Sequence, residues 1–413
     1  MRRPALLLAL AAALAVPALA QPVVTPAREA PVGAADLVAL GSGGAVAAMP
    51  TLDSPFLSNP AHITARGFSL TIAGATAGAG GNVRETVDFY DAELGPAIEE
   101  GLDQIRAEDP VRLAALYNEA LRVGAQPKTA DLAVLAPSVR FGVGPASVGA
   151  GVYGASVSRG RITNGGGGVP FIDLYSQADI AVPVVVGVDL GKTPAALAMP
   201  FGVRVGASAT YLQRRVTAKA DPVDALEPDG EKIYVLRGDA VRLAVGAFAT
   251  DVLVPGLDLG AEISNVGGTI DYAFDRSIDV SGSEGTPDDT AEIAALEARF
   301  DNRPTEAVAR VGAAFRLPAI PGVRASVGVD YTSAATSDFE QSAQAGLRGG
   351  ARARLAGLVE LRAGVSQGMP TAGASLVTKF VRIGYATYGV EDGRLLGQLQ
   401  RRNHAVQIRV GIF

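Results

Sequence analysis

The stretch FGVRVGASATY at residues 201–211 has apolar side chains at every second position, with small or polar side chains between them. The same alternation returns in VRASVGVDY at residues 323–331. Strict alternation over about ten residues places apolar side chains on one face of a β-strand and polar ones on the other. Similar segments begin at Gly67–Gly78, resume from Leu132 and continue to the last residues, and we count about fourteen strands.

The connections between these segments alternate between compact turns and long polar stretches. The turns are centred on Gly144-Pro145, Pro255-Gly256, Pro318 to Gly322 and Ala356-Gly357. The long stretches are residues 80–130, 161–168, 218–230, 275–303 and 391–402. Long connections at one end and short ones at the other are typical of bacterial outer-membrane barrels. The sequence therefore predicts an all-β fold, a transmembrane antiparallel up-and-down β-barrel, with its long loops extracellular.

Composition agrees with a barrel and excludes several other classes of protein. Mean hydropathy is +0.25, yet no stretch after residue 20 approaches the ~20 uncharged apolar residues of a membrane-spanning helix. A barrel spreads its apolar residues over alternate positions, which reconciles these two facts. The chain has no cysteine, which excludes disulfides and thiolate metal sites. Its basic residues are scattered, so we expect no nucleic-acid partner.

Three regions precede or make up the predicted barrel. Residues 1–20 combine Arg2 and Arg3, an apolar run and Ala18-Leu19-Ala20, the pattern of a cleaved secretory signal peptide. Residues 21–64 are rich in Pro, Ala and Gly and lack the strand pattern. Residues 65–413 form the predicted barrel, in which arginines fall on the polar, lumen-facing positions: Arg204, Arg242, Arg324, Arg352, Arg354, Arg362 and Arg409.

Two of the long loops carry helical patterns. In the insertion at residues 85–125, Leu94, Ile98, Leu102 and Ile105 form one stripe and Leu113 to Leu121 a second. Asp109-Pro110 separates them, since proline fits the first turn of a helix. This predicts two short amphipathic helices. The polar loop at residues 275–303 predicts a further helix, capped by Thr290, with Ile293, Leu296 and Phe300 on one face.

The final strand ends in Phe413 and resembles the C-terminal signal by which outer-membrane proteins are recognised by the barrel assembly machinery. That resemblance implies the assembly machinery and outer-membrane lipid as partners. Phe413 departs from the usual form, because it shares its face with Gly411 and Arg409 and not with the apolar Ile412 and Val410.

Residues 41–61 carry a family resemblance. They contain Gly43-Gly44-Ala45, then Asp53, then Asn59-Pro60-Ala61. This resembles the start of the FadL-like outer-membrane barrels, whose N-terminus has a Gly-Gly-Ala stretch, an Asp and an Asn-Pro-Ala element before the first strand. The resemblance extends to the related branch known as conjugal-transfer TraF-like barrels.

The resemblance implies that residues 21–64 form a hatch, or plug, inside the lumen. It assigns the hatch or ligand motif to Gly43, Gly44, Asp53, Asn59, Pro60 and Ala61. FadL-like members move hydrophobic molecules through a lumen pocket and a lateral opening in the wall, so the implied function is uptake of a hydrophobic ligand. The alternative is a non-transporting assembly or secretion component, as the TraF-like name suggests. A flexible periplasmic leader is the alternative for residues 21–64.

Catalytic and metal chemistry find little support in the residues. The Gly41–Gly44 stretch lacks the strand, helix and lysine of a phosphate loop. The two histidines, His62 and His404, have no evident catalytic partners, and a serine paired with either one would favour an enzyme. The acidic residues near 93–109 lack the spacing of a calcium loop and indicate a solvated helix face. We expect no enzyme activity, no cofactor and no metal.

Overall fold

The computed structural model describes residues 36–65, 67–81, 83–125, 128–164, 170–192, 201–222, 232–279, 289–300, 303–304, 307–318, 320–333, 346–391 and 400–413. The predicted signal peptide, residues 1–20, the first part of the predicted hatch, residues 21–35, and the glycines at 165–168 lie outside these ranges.

Fourteen antiparallel strands make up one sheet. They are β1 Ser69–Gly80, β2 Lys128–Val143, β3 Ala146–Asn164, β4 Pro170–Asp189, β5 Gly202–Pro222, β6 Lys232–Thr250, β7 Leu257–Val266 continued by Thr269–Asp279, β8 Arg303–Pro304 continued by Val308–Arg316, β9 Val323–Thr332, β10 Leu347–Leu355, β11 Val359–Ser366, β12 Met369–Val377, β13 Val381–Glu391 and β14 Gln400–Ile412.

The sheet closes on itself. Strand β1 pairs with β2 on one side and with β14 on the other, so that Ala75 lies opposite both Val134 and Ile408. Each remaining strand pairs with its neighbours in chain order. Closure leaves no unpaired strand edge, which is the condition for a sheet to lie in lipid. The predicted closed barrel of about fourteen strands is confirmed.

Strand β7 is interrupted in its middle. Both of its segments run antiparallel to β6, with Ala261 opposite Ala247 and Tyr272 opposite Gly238. Gly267 and Gly268 separate the two segments and adopt φ angles of 78° and 91°. Strand β8 lies beside both segments of β7, since Val308 pairs with Ser264 and Pro304 with Thr269. The irregular part of β7 is called the wall break below.

The two ends of the barrel differ as the sequence predicts. One end, called the turn end, carries the β2–β3, β6–β7, β8–β9 and β10–β11 turns at the predicted positions. The other, called the loop end, carries the long connections. A long β9–β10 connection, residues 333–346, also belongs to the loop end and was not among those identified from the sequence. The β11–β12 connection there is tight, since Gln367 and Gly368 both have positive φ, as a two-residue hairpin requires.

The barrel is polar inside and apolar outside. Along β14, Arg401, Asn403, Gln407 and Arg409 are buried. The residues between them, Val406, Ile408 and Val410, are 43–52% exposed. The seven arginines predicted to face the lumen all occupy inward positions of their strands. An outer wall this apolar would be unstable against water, and it suits a lipid environment.

Aromatic residues mark both edges of the apolar belt. Towards the loop end, Tyr211 and Tyr385 point outward, and their hydroxyls bond Asp239 at 2.8 Å and His404 Nδ1 at 2.7 Å. Towards the turn end, Phe141 and Phe380 are exposed. Aromatic girdles at the two interfaces are typical of transmembrane barrels. None of the helices within the described ranges is long and apolar enough to cross a membrane.

The insertion after β1 contains more helices than the two predicted. Helix α3 (Val83–Phe89) continues through a π-helical turn, residues 90–94, into α4 (Gly95–Glu100), and α5 (Leu102–Glu108) and α6 (Pro110–Gly124) follow. Two short helices precede β1: α1 (Leu37–Gly41) and α2 (Ser54–Leu57). Gly101, with a φ of 96°, breaks the first predicted helix inside its apolar stripe. The predicted boundary at Asp109-Pro110 is present, because the Asp109 carboxylate accepts the Arg112 N–H at 2.9 Å.

Helix α7 (Thr290–Phe300) lies in the polar loop after β7, as predicted, with Leu296 and Phe300 buried. Its capping residue is Asp289 and not Thr290. The Asp289 carboxylate accepts the N–H groups of Ala291 at 2.8 Å and Glu292 at 3.2 Å. An N-cap side chain reaches the second and third helical N–H groups, and only Asp289 has that position.

A charge placed in the apolar belt should destabilise the barrel, whereas the same charge above the belt should not. Val184 and Ser176 both point outward from β4, but only Val184 lies among apolar neighbours. We expect Val184→Lys to lower the free energy of unfolding in lipid vesicles by about 2–4 kcal/mol and Ser176→Lys by less than about 1 kcal/mol. Denaturant titration, read by the gel mobility of unheated samples, measures both. Equal effects would contradict a lipid-facing belt.

Candidate ligand cavity and the lumen segment

Residues 36–65, called the lumen segment below, lie inside the barrel. The segment begins with α1 against β12 and β13, passes α2, and ends in the 3-10 helix Pro60–Ala65 against β4, β5 and β6. Most of its side chains are buried, including Leu37, Ala45, Ala47, Ala61 and Ile63 at 1% exposure or less. It therefore fills part of the lumen near the turn end.

Inward-facing glycines let the lumen segment lie against the wall. A Cβ added to any of them would come within about 3 Å of the segment: at Gly350 it would stand 2.1 Å from the Ser42 carbonyl oxygen, and at Gly206 2.4 Å from that of Pro60. Ten strands each contribute one such glycine, called the glycine girdle below: Gly149, Gly187, Gly206, Gly246, Gly260, Gly312, Gly328, Gly350, Gly364 and Gly384. Only glycine permits the segment to lie so close to the backbone of the wall.

Hydrogen bonds fix the segment at separate points of the wall. The Asp330 carboxylate of β9 accepts the N–H groups of Val46 at 2.6 Å and Ala47 at 2.7 Å. The Arg352 guanidinium of β10 donates to the Pro50 carbonyl at 2.8 Å. At another point of the wall, Asp53 forms an ion pair with Arg409 of β14.

The residues assigned by resemblance to the hatch motif are spread along the segment and do not converge. Gly43 and Gly44, with φ of 69° and 77°, lie against β10. The Asn59 amide donates to the carbonyls of Ala47 at 3.2 Å and Ala247 at 3.1 Å, and Pro60 and Ala61 pack beside it. Asp53 lies at the Arg409 ion pair. Of the six, Gly44 lines the cavity described below.

A serine and a histidine do come together. Ser54 Oγ lies 2.8 Å from His62 Nδ1, the pairing that would favour an enzyme. Both residues have no solvent exposure, and burial lowers the pKa of His62 to about 3. Phe248 packs edge-on against the imidazole at 4.9 Å. A hydrolase needs a nucleophile that substrate reaches and a carboxylate that orients the histidine. Within the described part of the chain this pair has neither, and it holds α2 against the 3-10 helix.

A cavity of about 380 Å³ lies on the loop side of the lumen segment. Leu40, Val46, Phe56 and Leu57 of the segment face it. Apolar wall residues share its lining with charged ones: Val157, Ala181, Leu212, Ala244, Val308, Arg159, Arg242, Arg310, Arg348, Arg401, Asp131 and Glu262. The volume falls in the range of small-molecule sites.

The cavity continues towards the loop end as an apolar cluster. Ala181 and Leu212 belong to both. Above them lie Tyr175, Tyr272 and the buried face of α7, where the rings of Tyr272 and Phe300 are 5.8 Å apart. Phe56 of the lumen segment packs partly against the same cluster, 5.9 Å from the ring of Tyr153. Apolar contacts therefore run from the loop end to the lumen segment.

The cavity also reaches the wall break. Its lining includes Ser264, Asn265 and the outward-facing Leu243. Leu243 pairs with Val266 and Val245 with Ile263, so two residues of β7 oppose Ala244. Asn265 has a φ of 56°. Such a bulge interrupts the ladder of hydrogen bonds between the strands. Here the cavity is therefore lined both by an inward-facing residue, Ala244, and by an outward-facing one, Leu243. Apart from the Gly267-Gly268 pair, nothing in the sequence indicates this bulge.

Comparison with known proteins finds distant likenesses among solved structures alone. No protein-family model matches the chain, and no curated protein matches it. The P. putida toluene transporter TodX is similar over 91% of this chain and 96% of its own, with 11% identity and a TM-score of 0.43. The Ralstonia pickettii toluene transporter TbuX is similar over 91% of this chain and 97% of its own, with 12% identity and a TM-score of 0.44. The translocator domain of the Neisseria meningitidis autotransporter NalP is similar over 84% of this chain and 88% of its own, with 10% identity and a TM-score of 0.35.

Likenesses at this level carry no argument about function, and the fold rests on the strand pairing itself. The chain is a transmembrane β-barrel with a segment of its own N-terminal part inside the lumen. The fourteen strands agree with the resemblance of residues 41–61 to FadL-like barrels, while the assignment of residues 21–64 as a hatch stays a prediction. These neighbours do not show the TraF-like branch.

A side chain added at one glycine of the glycine girdle should displace the lumen segment without opening the barrel. Gly350 faces the segment, whereas a Cβ on the outward-facing Gly349 would have no atom nearer than 4.0 Å. We expect Gly350→Val to increase amide hydrogen exchange at residues 41–48 by about tenfold or more, and Gly349→Val to leave it unchanged. Mass spectrometry of the exchanged protein in vesicles measures both. Equal exchange in the two variants would show that the girdle does not hold the segment.

The carboxyl of Asp53 gives the lumen segment a pH dependence. Burial raises its pKa from the usual 3.8 to about 6, against the opposing effect of Arg409. Because the folded-state pKa is the higher one, folding is favoured by protonation: stability rises as pH falls through about 6, levels off below about 4, and is lost as pH rises. We expect the full gain to be about 3 kcal/mol.

Asp53→Asn should remove that part of the pH profile. Denaturant unfolding of the two proteins between pH 4 and 7.5 isolates it, because the other titrating groups are common to both. A difference between the two proteins that stays constant with pH would contradict the assigned pKa.

Proposed function

We propose that this chain is an outer-membrane channel for the uptake of hydrophobic small molecules, as in FadL-like barrels. The observation that carries the proposal is the cavity beside the lumen segment, which adjoins the apolar cluster under α7 and reaches the wall break. A molecule entering at the loop end meets aromatic and aliphatic side chains on its way to the cavity. Burial of apolar surface there favours its capture.

The orientation follows from the asymmetry of the connections. Long loops at the outer surface and short turns in the periplasm are the usual arrangement, which puts α3–α7 outside the cell and the lumen segment towards the periplasm. Residues 1–20 would direct export and be removed. Phe413 would present the last strand to the barrel assembly machinery.

The exit route runs through the wall and not along the barrel axis. The lumen segment, packed into the glycine girdle, lies across the straight path to the turn end. The wall break stands at the upper margin of the apolar belt. Below it on β6, Leu243, Val245 and Ala247 face outward, and above it the outward residues are Asp239 and Arg237. A hydrophobic molecule leaving beside Asn265 would enter the acyl region directly.

The non-transporting alternative is less well supported by the same features. A structural component has no need of an interior void, and its lumen would be expected to be filled by side chains. The cavity and its approach to the wall are instead the features that passage of a small molecule requires. Toluene and related monoaromatic compounds, the cargo named for TodX and TbuX, are the first candidates for an uptake assay.

Filling the cavity should stop uptake. Ala244 faces the cavity and is 8% exposed, whereas its neighbour Val245 faces outward and is 53% exposed. We expect Ala244→Trp to lower the initial rate of labelled toluene uptake by about tenfold or more, because the indole occupies much of the void. Val245→Trp should transport like the unaltered protein.

The rates are to be compared in cells that hold equal amounts of folded barrel, judged by the mobility shift on heating. Should Ala244→Trp fold and still transport each member of a hydrophobic panel at the unaltered rate, the cavity is not on the route and the proposed function fails.

A further inference from the structure

Six inward-facing arginines gather between the lumen segment and the turn end. They form three directly opposed pairs across neighbouring strands, and together they are called the turn-end arginine cluster below: Arg324 with Arg354, Arg352 with Arg362, and Arg382 with Arg409. Like charges directly opposite each other destabilise a sheet. Three such pairs in one part of the lumen require a compensating charge.

Three carboxylates supply part of that charge. Glu360 is the most central, because it interacts electrostatically with Arg352, Arg354, Arg362 and Arg382. It bonds Arg382 at 3.0 Å and Arg362 at 3.3 Å. In the lumen segment, Asp53 is paired with Arg409 and Asp36 lies within electrostatic range of Arg362. Among the residues that the structure describes, six guanidinium groups thus face three carboxylates, which leaves a positive excess.

Hydrogen-bond donors of the cluster are also left over. The Nε and Nη2 atoms of Arg352 and the Nε atom of Arg362 are buried and have no partner within the described part of the chain. Arg362 is only 4% exposed. A buried donor without an acceptor is costly, and more so when it carries charge. Both the charge and the donors point to an anion.

The cluster is layered in a way that gives an anion access from the turn end. Arg354 pairs with Arg324 and Glu360 in the layer nearest the β10–β11 turn, and its guanidinium donates to the Gly357 carbonyl of that turn at 2.8 Å. Arg352 and Arg362 lie two residues deeper, and Gly350, two residues further, touches the lumen segment at Ser42. Arg324 is exposed. The lumen segment closes the cluster from the loop side.

We propose that the turn-end arginine cluster is a binding site for a phosphate group. The planar guanidinium fork matches the oxygens of phosphate in a bidentate way. A phosphate carries about −1.5 to −2 charges near pH 7, which suits an excess of several positive charges better than a single carboxylate does. The phosphate belongs either to a small soluble phosphoester or to a lipid headgroup. This site is separate from the apolar cavity and does not depend on the proposed cargo.

Calorimetric titration of the full-length protein in detergent tests the site, with pyrophosphate as the probe. Binding of pyrophosphate is expected in phosphate-free buffer. It should persist when sodium chloride is added until it matches the ionic strength of the pyrophosphate. Arg352→Gln should weaken the affinity by about tenfold or more, since it removes charged hydrogen bonds. Arg237→Gln, on the outer wall, should leave it unchanged.

Glu360→Gln separates a binding site from a structural network. It removes the carboxylate that competes for the arginines, so pyrophosphate should bind more tightly, whereas a purely structural carboxylate would give a less stable barrel with no gain in affinity. Arg352→Lys, which keeps the charge and loses the fork, should bind with intermediate affinity and replaces Arg352→Gln if the latter fails to fold.

The source of the phosphate is decided with two further probes, glycerol 3-phosphate and dihexanoyl phosphatidic acid. Binding of the first assigns the site to soluble phosphoesters, and binding of the second alone assigns it to lipid. The proposal is overturned if none of the phosphate probes gives a heat of binding. It is also overturned if chloride alone gives the same heat of binding as the phosphate probes. Toluene uptake is measured separately, so failure of this site and failure of the channel are distinguishable.

Discussion

Closure of the backbone hydrogen-bond ladder is the constraint on which the rest of the molecule depends. In lipid, an unpaired N–H or C=O group has no water to bond, so β1 must meet β14 and every strand between must keep its partner. Closure fixes an inside and an outside. The apolar side chains then face outward, and the glycines, arginines and other polar residues that alternate with them face the lumen.

That lumen has to accommodate a chain segment whose backbone groups are themselves buried. Glycine on the inner wall removes the side chains that would hold the lumen segment away, and Asp330, Arg352 and Arg409 supply partners for its polar groups. The segment is therefore packed into the wall near the turn end and leaves space beside it towards the loop end. The cavity and the wall break occur on that looser side, and the arginine cluster on the tighter one.

The two ends consequently have different chemistry. Towards the loop end, aromatic and aliphatic residues such as Tyr272 and Phe300 surround the approach to the cavity. Towards the turn end, the described residues of the lumen include six arginines and three carboxylates near them. On the proposed route, hydrophobic molecules would leave sideways through the wall, so the turn-end mouth would stay free for the phosphate group proposed there.

The period of two determined the strand number, the turns and the inward side of residues such as Arg362 and Arg409, because alternation is a property of the local chain. Local pattern also located α7, although Thr290 was the wrong cap, because the Asp289 carboxylate accepts the N–H groups of Ala291 and Glu292. Only the tertiary structure decided what faces each inward residue: Gly350 against Ser42, Asp53 against Arg409, Ser54 against His62. The first two pairs join residues that are far apart in the chain, and the third joins two separate helices of the lumen segment. Alternation tells which side a residue takes but carries no information about what stands opposite.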